Sequence, residues 1–176
     1  STTDKKRLAH QIYNATAKKQ NTKLISAKNN TVIYQEPYFV ITNFKADIPQ
    51  HGKDTEANEN SVITLVQNKK LSILFTGDSG VRAFNQLKSK LPQNITVLKV
   101  GHHGAKNVIN KEMVSYLNPK VSLVSVGFNK YGHPHPVTMK LLSDTELVRT
   151  DKIHAIKIIS DGEKYEVDSY DSKMRT

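Results

Sequence analysis

Five residues able to bind a metal or an anion stand just beyond strand-like runs. They are Asp78 after "LSILFTG", His102 and His103 after "ITVLKVG", and His133 and His135 beyond "VSLVSVG". A carboxylate brought together with imidazoles, without thiols, suits Zn²⁺ or Mn²⁺. The chain has no cysteine, so any metal must be held by His, Asp or Glu. Asp78 could supply an anionic oxygen and even bridge two ions, while His102 or His103 could supply a neutral nitrogen. Adjacent histidines point in different directions, so one of the two is the expected ligand. The other is left to pack, to donate to substrate or to support the ligand from behind. In His133-Pro134-His135 the i, i+2 spacing puts both rings on one side of an extended segment. Pro134 restricts that segment, which suits a fixed pair of donors for a phosphate or a metal.

Each signal has a plainer reading. Asp78 precedes a helical pattern and reads equally as an N-cap. Paired histidines in a loop are commonly solvated, and "GHPHP" also fits a rigid turn. "GDSG" (77–80) looks like the nucleophile motif of trypsin-like proteases, with Ser79 as nucleophile. Here it runs on into Val81-Arg82 and a helical pattern, and neither His10 nor His51 has the context of a catalytic base. The Gly-x-Ser-x-Gly elbow and the glycine-rich phosphate loops are absent. His10, His51 and His154 receive no role.

The elements that must position these residues follow from hydrophobic period and turn chemistry. Residues 4 to 19 predict a helix, with Leu8, Ile12 and Ala15 at helical spacing. "TKLISA" and "NTVIYQ" predict short strands around Lys28-Asn29-Asn30, and "EPYFVITNF" a third strand. Residues 47 to 60 predict a loop, and "SVITLVQ-NKK-LSILFTGD" the clearest hairpin. Val81, Phe84, Leu87 and Leu91 predict a helix closed by Pro92. The strand "NITVLKVG", a helix at "NKEMVSYL" and the strand "KVSLVSVG" come next. "FNKYGHPHP" is a loop leading into a helix with Pro136 in its first turn, and "ELVRT", "HAIKIIS" and "KYEVDSY" are strands. Alternating strands and helices with hairpins among them predict an α/β chain built on mixed sheets. Loops at strand ends are where such proteins build sites.

Length and composition agree with one domain. The 176 residues carry 37% hydrophobic and 24% charged side chains, enough for a core and against global disorder. No run approaches the ~18 apolar residues of a membrane span. The 26 Lys and Arg against 16 Asp and Glu give a formal charge of +10, which favours polyanionic partners, nucleic acid above all.

Four pieces in this order, "NENSVITL" (58–65), "LFTGD" (74–78), "LKVGHHGAK" (98–106) and "YGHPHP" (131–136), resemble the metallo-β-lactamase-fold domain of ComEC-type DNA-uptake (competence) proteins. The resemblance runs from about Leu24 to Asp151. It implies an αββα sandwich with a metal site at the edge of two sheets, and hydrolysis of phosphodiesters in DNA. It implies that Asp78 is a metal-bridging aspartate and that the His102-His103 pair holds a further ligand. His133 and His135 would contact the substrate phosphate, with Asn60 and Ser61 beside them, and the four histidines would be the catalytic side chains. The cofactor implied is Zn²⁺ or Mn²⁺, two ions in the complete protein. The family's His-x-His-x-Asp-His motif is not in this sequence. The expectation is therefore a single domain, 1–176, equivalent to the C-terminal part of that fold. Its partners would be DNA and the N-terminal half or membrane channel domain of a larger bacterial protein, at a membrane or outside the cytoplasm. The alternative is a metal-free remnant that binds nucleic acid or supports an assembly. A small-molecule hydrolase is a further use of the same fold.

Overall fold

A computed structural model describes residues 2–24, 30–49 and 58–170, with side chains from residue 8 to residue 169 of these. His51, the Lys28-Asn29 turn, the end of "TKLISA" and most of the 47–60 loop lie outside the described residues. Helix α1 (Thr2–Lys19) is followed by the strands β1 (Thr31–Glu36), β2 (Phe39–Phe44), β3 (Ile63–Asn68) and β4 (Leu71–Phe75). Each of these strands pairs antiparallel with the next. The hairpin read from "SVITLVQ-NKK-LSILFTGD" is the β3–β4 pair.

After β4 the chain changes mode. Helix α2 (Val81–Leu87), strand β5 (Val97–Lys99), helix α3 (Lys111–Leu117), strand β6 (Val121–Val124), helix α4 (Pro136–Leu141) and strand β7 (Glu146–Arg149) alternate. Strands β4 to β7 are parallel neighbours. One seven-stranded mixed sheet results, in sequence order from β1 to β7. The short helix α5 (Thr150–Ile153) leads to a separate antiparallel hairpin, β8 (Ala155–Ser160) and β9 (Tyr165–Tyr170). That hairpin's turn docks on the β3–β4 turn, where Lys70 N–H donates to the Gly162 carbonyl at 2.9 Å and Lys70 pairs with Glu163.

The core lies where the parallel strands meet their crossover helices. Val97, Leu98, Val121 and Val124 are fully buried, as expected of central parallel strands enclosed on both faces. Helix α2 contributes Ala83, Phe84 and Leu87, and α3 contributes Met113 and Leu117. Asn110 caps α3 by accepting from Met113 N–H at 2.8 Å, and Pro136 opens α4 as its sequence position predicted. The α2 pattern breaks earlier than Leu91, passing into a 3₁₀ turn at Lys88–Lys90. Helix α1 forms, but Leu8, Ile12 and Tyr13 are exposed: the period gave the helix and not its packing.

Candidate functional site

Three loops leave the carboxyl ends of neighbouring parallel strands and meet at one edge of the sheet. Asp78 follows β4, His102 and His103 follow β5, and His133 and His135 lie between β6 and α4. Backbone hydrogen bonds join the loops. His102 N–H donates to the Gly77 carbonyl at 3.0 Å, and His135 N–H donates to the Gly104 carbonyl at 2.8 Å. The buried Thr138 hydroxyl adds a third tie, donating to the Ala105 carbonyl at 2.7 Å.

The glycines of "GHHG" are dictated by this crowding. A Cβ at Gly101 would lie 2.5 Å from the Ser79 carbonyl oxygen, and one at Gly104, where φ is +76°, would lie 2.9 Å from Pro134 Cβ. Between them His102 and His103 both hold left-handed backbone, φ 44° and 55°. Such a conformation costs a non-glycine residue roughly 1–2 kcal/mol, and backbone strain of this kind gathers at functional sites.

The two rings diverge, as adjacency predicted, with 71° between their planes and centroids 6.4 Å apart. His102 lines a cavity of about 240 Å³ together with Asp78, Asn58 and Lys106. His103 lines a second cavity of about 200 Å³ with His133, Phe128 and Tyr131. His133 stands between them, its ring 5.5 Å from that of His102.

Hydrogen bonds select the tautomers, because a neutral imidazole has one donor and one acceptor nitrogen. His103 Nδ1 lies 2.7 Å from the Ser125 carbonyl oxygen. A carbonyl only accepts, so Nδ1 carries the proton and Nε2 is left as a lone pair. His135 Nδ1 accepts from Val137 N–H at 3.2 Å, capping α4, so its Nε2 carries the proton. His102 Nδ1 stands 3.4 Å from the Asn58 amide nitrogen, which again favours Nε2–H. His133 Nδ1 is buried without a partner. Burial first, and then the neighbouring His102, His103 and His135, hold the His133 ring below the usual histidine range. That favours the neutral ring, and an anion placed beside it would oppose the shift.

Asp78 is not the cap of α2. The Glu59 carboxylate takes that role, accepting from Gly80 N–H at 3.0 Å and Ala83 N–H at 2.9 Å, which leaves Asp78 on its cavity. Ser79 is buried and its hydroxyl donates to the Ser61 carbonyl at 3.0 Å, a geometry that disfavours it as a nucleophile. Asn60 holds the Ile48 backbone with both ends of its amide, at 2.9 and 2.8 Å. Ser61 meets the site through its backbone, as the acceptor for Ser79.

Two features lay outside the sequence reading. Lys99 ends β5 half-buried, and burial pushes its ammonium below the ordinary lysine range while the negative charge of Asp78 opposes that shift. The signal was a lone charge in the apolar run "TVLKV". Asn129 uses its whole amide to hold the loop before the histidines. It donates to the Gly127 and His133 carbonyls, each at 2.8 Å, and accepts from Tyr131 and His133 N–H at 3.0 and 3.1 Å.

The donor set for a metal is divided between the two cavities, Asp78 with His102 in one and His103 with His133 in the other. Among the described residues no three His, Asp or Glu side chains converge on a point that could hold an ion. These residues alone do not fit a complete metal centre.

No family model matches the chain. Over 108 residues it is 31% identical to ComE operon protein 3 of Bacillus subtilis (strain 168), covering 59% of this chain and 14% of that protein. Over 94 residues it is 35% identical to Recombination protein 2 of Haemophilus influenzae, covering 52% and 12%. The chain is homologous in part to the ComEC-type competence proteins. A third relative, the uncharacterized protein YcaI of Escherichia coli (strain K12), is 32% identical over 84 residues, 47% of this chain and 11% of that protein. The chain thus spans only about a seventh of the length of the ComEC-type relatives it matches. Among the described residues no helix is long and apolar enough to cross a membrane.

Proposed function

We propose that this chain handles DNA in competence-type uptake, and that the histidine edge of its sheet holds the phosphodiester backbone. The observation that carries this reading is that His102, His103, His133 and His135 stand on two loops joined at Gly104, with the His102 ring 6.4 Å from that of His103 and 5.5 Å from that of His133. Nε2–H groups of His102 and His135 are donors for phosphate oxygens, and the Nε2 lone pair of His103 can take a proton. The net charge of +10 supplies the sequence-independent attraction that phosphate contacts require. Partial homology to competence proteins supports DNA over a small molecule as the substrate.

The seven-stranded sheet, with its site at the carboxyl edge, is on this reading one layer of a metallo-β-lactamase-like sandwich. Hydrolysis of DNA by Zn²⁺ or Mn²⁺ belongs to the proposal only with ligands additional to the described residues, and no hydrolytic step is assigned to these residues alone. Fluorescence anisotropy of a labelled oligonucleotide tests the reading. Affinity should fall steeply with salt and drop about tenfold or more in His102→Ala and His135→Ala, each a loss of a hydrogen bond to an anionic phosphate oxygen. Unchanged affinity in both variants would reject the histidine edge as the phosphate site.

A further inference from the structure

The second cavity shares His103 and His133 with the histidine edge, and its remaining walls include the rings of Phe128 and Tyr131. Phe128 is 108% exposed and Tyr131 71% exposed, both on the loop that Asn129 fixes with four hydrogen bonds. Large apolar rings held in water on a braced loop are unfavourable to the fold by themselves, since hydrophobic burial is what ordinarily stabilises such side chains. The Tyr131 ring is backed by that of His133, with centroids 6.0 Å apart and 24° between planes, so one of its faces is turned away from the imidazole. Lys130 brings an ammonium to 5.8 Å from the same ring centre.

We propose that Phe128 and Tyr131 form a stacking subsite for one unpaired nucleobase of a single DNA strand. The proposal rests on the phosphate-binding reading above. His133 belongs both to the cavity and to the imidazole cluster, so a base in the cavity puts its own phosphate beside the histidines. The cavity, about 200 Å³, is smaller than the pockets that take drug-sized molecules and suits a single ring system. Base–aromatic stacking needs only the π-face that every base has, and it is sequence-tolerant. Bases inside a duplex are stacked on their neighbours and cannot enter such a slot without leaving the helix. The subsite therefore selects an unpaired strand or end.

The test uses the whole 176-residue chain and an oligothymidine strand, a strand of the same length with abasic sugars, and a blunt duplex. Because the chain has no tryptophan, Phe128→Trp gives a sole tryptophan that can be excited apart from the tyrosines. The base-bearing strand should bind roughly 5- to 150-fold tighter than the abasic one, the range that one stacked base supplies. It should quench the reporter, and the abasic strand and the duplex should not. Phe128→Ala and Tyr131→Ala should each abolish or reduce that advantage, the ratio of base-bearing to abasic affinity; Phe128 packs on nothing that its loss could unfold. Equal affinity for abasic and base-bearing strands, with no quenching, would overturn the stacking subsite and leave the phosphate reading standing. No binding of any strand at low salt would overturn both.

Discussion

Gly104 is where the His-His-Gly and His-Pro-His loops touch, and the cost of adding one methyl there can be worked from the structure. At φ +76° an L-residue loses roughly 1–2 kcal/mol relative to ordinary backbone. The new Cβ would sit 2.9 Å from Pro134 Cβ, 3.2 Å from Val124 Cγ1 and 3.3 Å from Met139 Cε. The proline ring cannot swing away, so overpacking adds about 1–3 kcal/mol. Lower entropy of the unfolded alanine chain returns about 0.4–1 kcal/mol. Gly104→Ala should then destabilise by about 2–4 kcal/mol. Two other glycines separate the contributions. Gly132 has φ +73° but nothing within 4 Å, and Gly127 has neither a left-handed φ nor a neighbour. Gly132→Ala should therefore cost about 1 kcal/mol, and Gly127→Ala should stay within about 0.5 kcal/mol of the parent. Urea unfolding followed by circular dichroism gives the three values. A Gly104→Ala cost no larger than that of Gly132→Ala would mean that the two loops are not in contact, and the joined histidine edge would fall with them.

Three further outcomes are expected. Asp151 accepts from Arg149 Nε at 3.0 Å and Nη2 at 2.6 Å, which holds its carboxyl below the usual carboxylate range. Its stabilisation is present above the unfolded carboxylate's pKa and lost as pH falls through the lower folded value. For so exposed a pair it is worth about 0.5–1 kcal/mol, and Asp151→Asn should flatten that acid limb in unfolding measured from pH 5 downward. Ser79→Ala should cost about 0.5–1.5 kcal/mol by removing the bond to the Ser61 carbonyl. It should leave any phosphodiester or ester hydrolysis unchanged, whereas a serine nucleophile would lose all activity. His102→Gly should relieve left-handed strain of roughly 1–2 kcal/mol against a glycine entropy cost of about 0.5–1 kcal/mol. The variant should be as stable as the parent or slightly more so while binding DNA more weakly; a clear loss of stability would show that His102 serves the fold.

Most of the sheet was legible because its strands differ in pattern. The β3–β4 hairpin showed two β-branched runs about a polar turn, and β5 and β6 showed short apolar runs ending at glycine or serine. The ending of β4 placed Asp78, and that of β5 placed His102 and His103, just beyond strands. What the sequence hid was long-range pairing. Nothing local marks Glu59 as the cap of α2, since its partners Gly80 and Ala83 lie about 20 residues on, and Asp78 sat nearer to hand. Asn129 looks like any loop residue until its four bonds are seen. Phe128 and Tyr131 read as ordinary loop aromatics because period reports burial within helices and strands and is silent in loops. The Leu8 and Ile12 stripe shows the reverse limit: helical spacing was present, and no described element covers it.

The central claim is that DNA phosphate lies on this histidine edge, and ring ¹⁵N–¹H spectra of the seven histidines during titration with a single-stranded oligonucleotide test it most directly. The signals of His102, His133 and His135 should move with the added strand, while that of the exposed His10 on α1 stays in place. Movement confined to His10 or His154, or to backbone amides of the β8–β9 hairpin, would put the DNA elsewhere and contradict the account.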